Sequence, residues 1–229
     1  SSSVVYSDQT GGYELTVNSV TRAPSPESVS GFNIDIRYSG NDQYQAAFNN
    51  AALRWQSIIT SDLPDVASAL FGNIDDLLIT ASVASIDGPG GVLARAAPTA
   101  LRSDSGLPYL GMMQFDSADM ARVLANGTLE GLIVHEMGHV LGIGCLWDNQ
   151  DLLDPINNSQ YIGAYGLSAW RTVSGNANAS YVPLETAGGR GTAGVHWSEN
   201  TFGDELMTGY VDNTMPISIV TIGTGLVAS

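Results

Sequence analysis

Thr128-Leu129-Glu130-Gly131-Leu132-Ile133-Val134-His135-Glu136-Met137-Gly138-His139-Val140-Leu141-Gly142 is the stretch on which the fold turns. Asn126-Gly127 breaks the chain just before it. Thr128 stands where an N-cap belongs, and Glu130 falls in the first turn. Leu129, Leu132, Ile133 and Leu141 supply an apolar run, so a helix is predicted over residues 128–141. Four residues on a helix turn through about 400°, so His135 and His139 project from one face. Two neutral imidazoles placed this way can hold one zinc ion. Glu136, beside the first of them, lies near the metal without having to bind it, and can take a proton from a water there. Gly142 lets the helix stop and the chain turn sharply.

A catalytic zinc takes three protein ligands and keeps one position open. The chain has 3 histidines, so His196 is the remaining imidazole and the leading third ligand. A carboxylate is the rival, and Asp148, Asp151, Asp154, Glu185 and Glu199 compete for that place. The single cysteine, Cys145, has three readings: a small buried hydrophobe, a thiolate ligand in place of His196, or a thiol near the site with no role. Asp148-x-x-Asp151-x-x-Asp154 carries oxygen ligands suited to calcium but lacks the EF-hand pattern, so calcium has no firm support.

The segment His135-Glu136-x-x-His139-x-x-Gly142 matches the start of the metzincin pattern, whose compact form places a third histidine at position 145, where this chain has Cys145. Further on comes His196-Trp197-Ser198-Glu199-Asn200-Thr201-Phe202-Gly203-Asp204-Glu205-Leu206-Met207. Together these runs resemble the gametolysin and leishmanolysin-like metzincin zinc metallopeptidases, in which a long insertion displaces the third histidine. The resemblance is specific over residues 128–142 and 195–210 and looser over 32–60 and 109–125. It implies one catalytic zinc held by His135, His139 and His196, with Glu136 as general base and acid and Met207 as the Met-turn methionine beneath the ion. It makes Tyr109–Phe115 the edge strand over the cleft, with Gly111, Met112 and Met113 meeting an extended substrate. The same strand read from its residues alone is equally an ordinary core strand. Tyr210, three past Met207, is a weak candidate neighbour of the metal or oxyanion, because its offset differs from that of other metzincins. Eukaryotic members are rich in disulfides, which one cysteine forbids, so the resemblance points to a bacterial relative.

The chain of 229 residues suits one large domain or two lobes sharing a cleft. Its formal charge is −15, from 23 acidic and 8 basic residues, and the basic ones are all Arg. Such a surface repels nucleic acid and anionic membrane, so neither is expected as a partner. Its apolar stretch near Pro216–Ala228 is too short and interrupted to span a bilayer. The chain begins at Ser1 without a leader pattern, which reads as a mature or trimmed form.

Along the chain, residues 1–30 read as an extension with a short strand at Tyr13–Val17. Strict alternation makes Phe32–Tyr38 a half-buried strand. Tyr44, Phe48, Ala51, Trp55 and Ile58 give a helix over 42–59. Leu77–Ile86, Val92–Ala97 and Tyr109–Phe115 read as strands, and Ser117–Ala125 as a short helix. After Gly142 the composition turns to Gly, Asn, Ser and Tyr, and loops with short elements are predicted. The expected architecture is a metzincin-like α/β (α+β) fold. A first lobe (31–144) carries a mixed twisted sheet, a backing helix and the zinc helix. An irregular second lobe (145–229) carries the third ligand and Met-turn. The expected function is a secreted, extracellular or cell-surface, monomeric zinc endopeptidase acting on proteins or peptides. The alternative is a zinc-binding adhesion or toxin-like module with little or no proteolysis.

Overall fold

The computed structural model describes residues 31–189 and 191–224. The expected extension at 1–30, with its strand at Tyr13–Val17, lies outside the described residues. The chain runs β1 (Ile34–Ser39), a 3-10 turn (Asp42–Tyr44), α1 (Gln45–Gln56), β2 (Val66–Ser68), β3 (Gly72–Ile74), β4 (Leu77–Ala84), β5 (Ala94–Leu101), β6 (Pro108–Asp116), α2 (Met120–Ala125) and α3 (Leu129–Val140). Beyond α3 come β7 (Gln160–Tyr161), α4 (Ala164–Ser174), β8 (Val182–Pro183), α5 (Glu199–Phe202) and α6 (Ile219–Ile222). The fold is the mixed α/β arrangement expected, with irregular chain and short elements in the second half, where the 11-residue α4 is the longest.

The main sheet has the order β1-β4-β6-β5. β1 pairs with β4 and β4 with β6 in parallel, whereas β5 runs antiparallel to β6. This order corrects one expectation. β6 is an interior strand, bonded on one side to β4 and on the other to β5, so its main chain has no free edge for a substrate. Gly111 is held for packing instead: a Cβ there would run into the Val140 side chain of α3 and lie 3.2 Å from the Ala97 carbonyl oxygen. Met113 is buried in the core and Met112 faces solvent at 38 % exposure. The strand at the edge on this side is β5, which accommodates Pro98, a residue that edge strands tolerate and central strands do not.

α1 packs against β1 and α3, and α3 lies against β5 and β6. Phe48, Ala51 and Trp55 form the buried side of α1, as its spacing predicts. Phe48 meets Phe115 of β6 edge to face at 5.2 Å, a favourable aromatic geometry. Trp55 also donates its indole N–H to the Val134 carbonyl, 2.9 Å away in the middle of α3, so the two helices are pinned where the histidines begin. Thr128 takes the N-cap position of α3, but its hydroxyl turns back to the Val123 carbonyl rather than capping the helix. At the other end Gly142, at φ 105°, closes a Schellman motif: its N–H bonds the His139 carbonyl and the Ile143 N–H bonds the Gly138 carbonyl. One buried apolar cluster runs from Phe32, Phe48 and Phe115 through α3 to Trp147, Trp197, Met207 and Val220, so both halves share a core.

Candidate metal centre

His135 and His139 leave one face of α3, as four-residue spacing requires, and His196 approaches them from the second half of the chain. The three Nε2 atoms stand 3.1 Å (135–139), 3.2 Å (135–196) and 3.0 Å (139–196) apart. Each ring is fixed from behind. The Nδ1 atoms of His135, His139 and His196 face the carbonyls of Leu206 (2.6 Å), Ile143 (2.9 Å) and Thr192 (3.0 Å). A carbonyl only accepts, so each Nδ1 carries the proton and each Nε2 presents a bare lone pair. Burial holds all three imidazoles below their ordinary pKa, that of His135 at about 3, which keeps them neutral. Three buried lone pairs aimed at one point repel one another unless a cation sits between them. A tetrahedral zinc with bonds of about 2.0–2.1 Å sets its ligand nitrogens roughly 3.3–3.4 Å apart, a few tenths of an ångström from this spacing. The donor set fits a zinc ion, and these histidines form a group that could hold one.

Two glycines make the approach of the second half possible. Gly144, at φ 75°, lies so close to Val195 that a Cβ would overlap the Val195 carbonyl oxygen and fall 2.9 Å from its carbon. His196 is the next residue. Gly138, between the two helix histidines, leaves room for Met207, whose Sδ sits 2.7 Å from where a Cβ would be. Met207 is fully buried against Gly138 of the helix. Neither glycine stands out by composition. The signal was positional: Gly138 falls inside the motif and Gly144 just after its close.

The rival ligands stand elsewhere. Asp148, Asp151, Asp154, Glu185, Glu199 and Cys145 are absent from the group that could hold a metal. Glu185 is a loop organiser. Its carboxylate accepts the N–H groups of Thr186, Ala187 and Glu199, and its own N–H donates to the His196 carbonyl. Those N–H groups, Ala187 and Glu199 foremost, hold its carboxyl below the usual range. Asp154 caps the turn at Ile156 and Asn157. The acidic residues that do converge are Asp62, Asp75 and Asp76, the last two immediately before β4. Cys145 is partly buried, and its Sγ lies 3.9 Å from the Ala96 carbonyl of β5. Burial, then the nearby Glu136, pushes the thiol up to about 11, so it is protonated at neutral pH, and its Sγ is not part of the converging histidine group. Tyr210 is 51 % exposed.

Glu136 is 95 % buried on α3, and desolvation pushes its carboxyl up to about 8. A dication beside it acts the other way, by favouring the charged form.

The leishmanolysin family model (peptidase family M8) matches residues 61–224, a span that contains all three histidines, Glu136 and Met207. The chain belongs to the leishmanolysin family. This is a family of zinc metallopeptidases, and its members act on proteins. A leishmanolysin from Leishmania donovani is 28 % identical over 134 residues. That stretch is 55 % of this chain and 22 % of the relative, so the chain spans about a fifth of the leishmanolysin it matches. Among the described residues of this leishmanolysin-family chain, no helix is long and apolar enough to cross a membrane.

Proposed function

We propose that this chain is a secreted zinc-dependent endopeptidase in which His135, His139 and His196 hold the ion and Glu136 handles the proton. The observation that carries the reading is the convergence of three buried Nε2 lone pairs within 3.0–3.2 Å, each fixed by a carbonyl behind it. When bound, the ion supplies a Lewis acid that acidifies a water and polarises the scissile carbonyl. Glu136 takes the proton of the attacking water and returns it to the leaving amine. Its position beside His135 on the same buried helix supports that role. Met207 fixes the floor of the site by filling the notch at Gly138. The edge strand β5, beside α3, offers its main chain to an extended peptide. The extracellular location rests on family resemblance and on an acidic, lysine-free composition.

Cleavage of a quenched fluorescent peptide library tests this reading. Turnover is expected to vanish with a zinc chelator and to return when zinc is added back. Turnover that survives complete removal of the metal would refute it.

A further inference from the structure

The third-ligand segment and the Met-turn are both tied to a buried side chain that does not reach the histidines. Glu205 is 5 % exposed. Its Oε2 accepts the Met207 N–H at 2.6 Å, and its Oε1 accepts the Ser218 N–H at 3.0 Å and the Thr221 hydroxyl. The Thr221 hydroxyl in turn accepts the indole N–H of Trp197 at 2.8 Å. The Glu205 carbonyl takes the N–H and hydroxyl of Thr208, at 3.2 and 3.0 Å. Two ligands hang from what this network holds. Leu206, between Glu205 and Met207, gives the carbonyl that orients His135. Trp197 follows His196 directly, and its N–H bonds the Met207 carbonyl at 2.9 Å.

We infer that Glu205 is a positioning residue for the metal site: it fixes the Leu206 carbonyl behind His135 and, through Thr221 and Trp197, the backbone of His196. The donor pattern calls for a carboxylate. Every group facing its two oxygens donates, so an amide at 205 would set an N–H₂ against another donor. A buried donor left unpaired is costly, and the turn would shift to relieve it. Partners that orient metal ligands from behind typically change metal affinity by about 10–100-fold when lost. The inference rests on the proposed zinc site.

The test measures zinc affinity by chelator competition, the visible spectrum of the cobalt-substituted protein, and apo-protein Tm, for the parent, Glu205→Gln and Thr221→Val. Thr221→Val keeps the shape of the side chain while cutting the link from Glu205 to Trp197, so it serves if Glu205→Gln folds poorly. Glu205→Gln is expected to weaken zinc binding by about 10–100-fold and to alter the cobalt spectrum. Thr221→Val is expected to shift both in the same direction by less. Variants that lose only apo-protein Tm, with parental zinc affinity and cobalt spectrum, would overturn the role of Glu205 alone. A parent that binds neither zinc nor cobalt at the histidines would overturn the metal site and the inference together.

Discussion

Glu136→Ala is expected to retain zinc and lose peptide hydrolysis, with kcat/KM falling by at least about 10²–10⁴-fold, the contribution a positioned general base makes. The two halves of this result separate because Glu136 does not belong to the histidine group. Removing it leaves the three Nε2 atoms and their carbonyl supports intact. Stability should hardly change, since no partner hydrogen bond is lost and the carboxyl pays for its burial. Zinc content, Tm and turnover measured on one preparation check all three parts. Glu136→Gln, which keeps size and removes the base, should match the alanine variant in turnover. Parental turnover in either variant would remove Glu136 from the chemistry.

Gly144→Ala is the second large effect, and it acts from outside the motif. The backbone at φ 75° costs an alanine about 1–2 kcal/mol. The larger problem is steric, because the new Cβ meets backbone of Val195, which cannot rotate away as a side chain can. Overpacking of this kind adds about 1–3 kcal/mol. The sum, about 2–5 kcal/mol, corresponds to a fall in Tm of roughly 4–20 °C for a chain of this size. Relief by moving Val195 also moves His196, so zinc affinity should fall with stability. Gly175→Ala is the control. Gly175 has φ 68° but nothing within 4 Å of its Cβ position, so it bears the backbone cost alone and should leave zinc binding unchanged. Equal effects of the two substitutions would mean that Val195 is not what Gly144 accommodates.

The legible parts of this protein were the local ones. Alternation in Phe32–Tyr38 gives β1, and the spacing of Phe48, Ala51 and Trp55 gives α1, because each pattern registers a single buried face. The helix with His135 and His139 is legible because its period fixes the direction of both rings. Sheet order is not local. A period of two states that β6 has a buried side, and says nothing about whether its backbone pairs on one flank or two. Pro98 in the neighbouring run was the available signal, since proline favours the edge. His196 was reachable only by elimination and by the resemblance of its following residues, since it is 57 positions from its nearest metal partner in sequence. Its anchoring is illegible for the same reason: Gly144 meets Val195 and Glu205 meets Thr221 through contacts that no periodicity encodes. The hairpin β2–β3 is too short to leave a pattern.

Zinc K-edge X-ray absorption on the purified protein tests the three-histidine site most directly. One zinc per chain is expected, with a first shell of three imidazole nitrogens at about 2.0–2.1 Å plus one light-atom ligand, falling to two imidazoles or to no bound zinc in His196→Ala. A sulfur at about 2.3 Å, or an unchanged spectrum in His196→Ala, would contradict it.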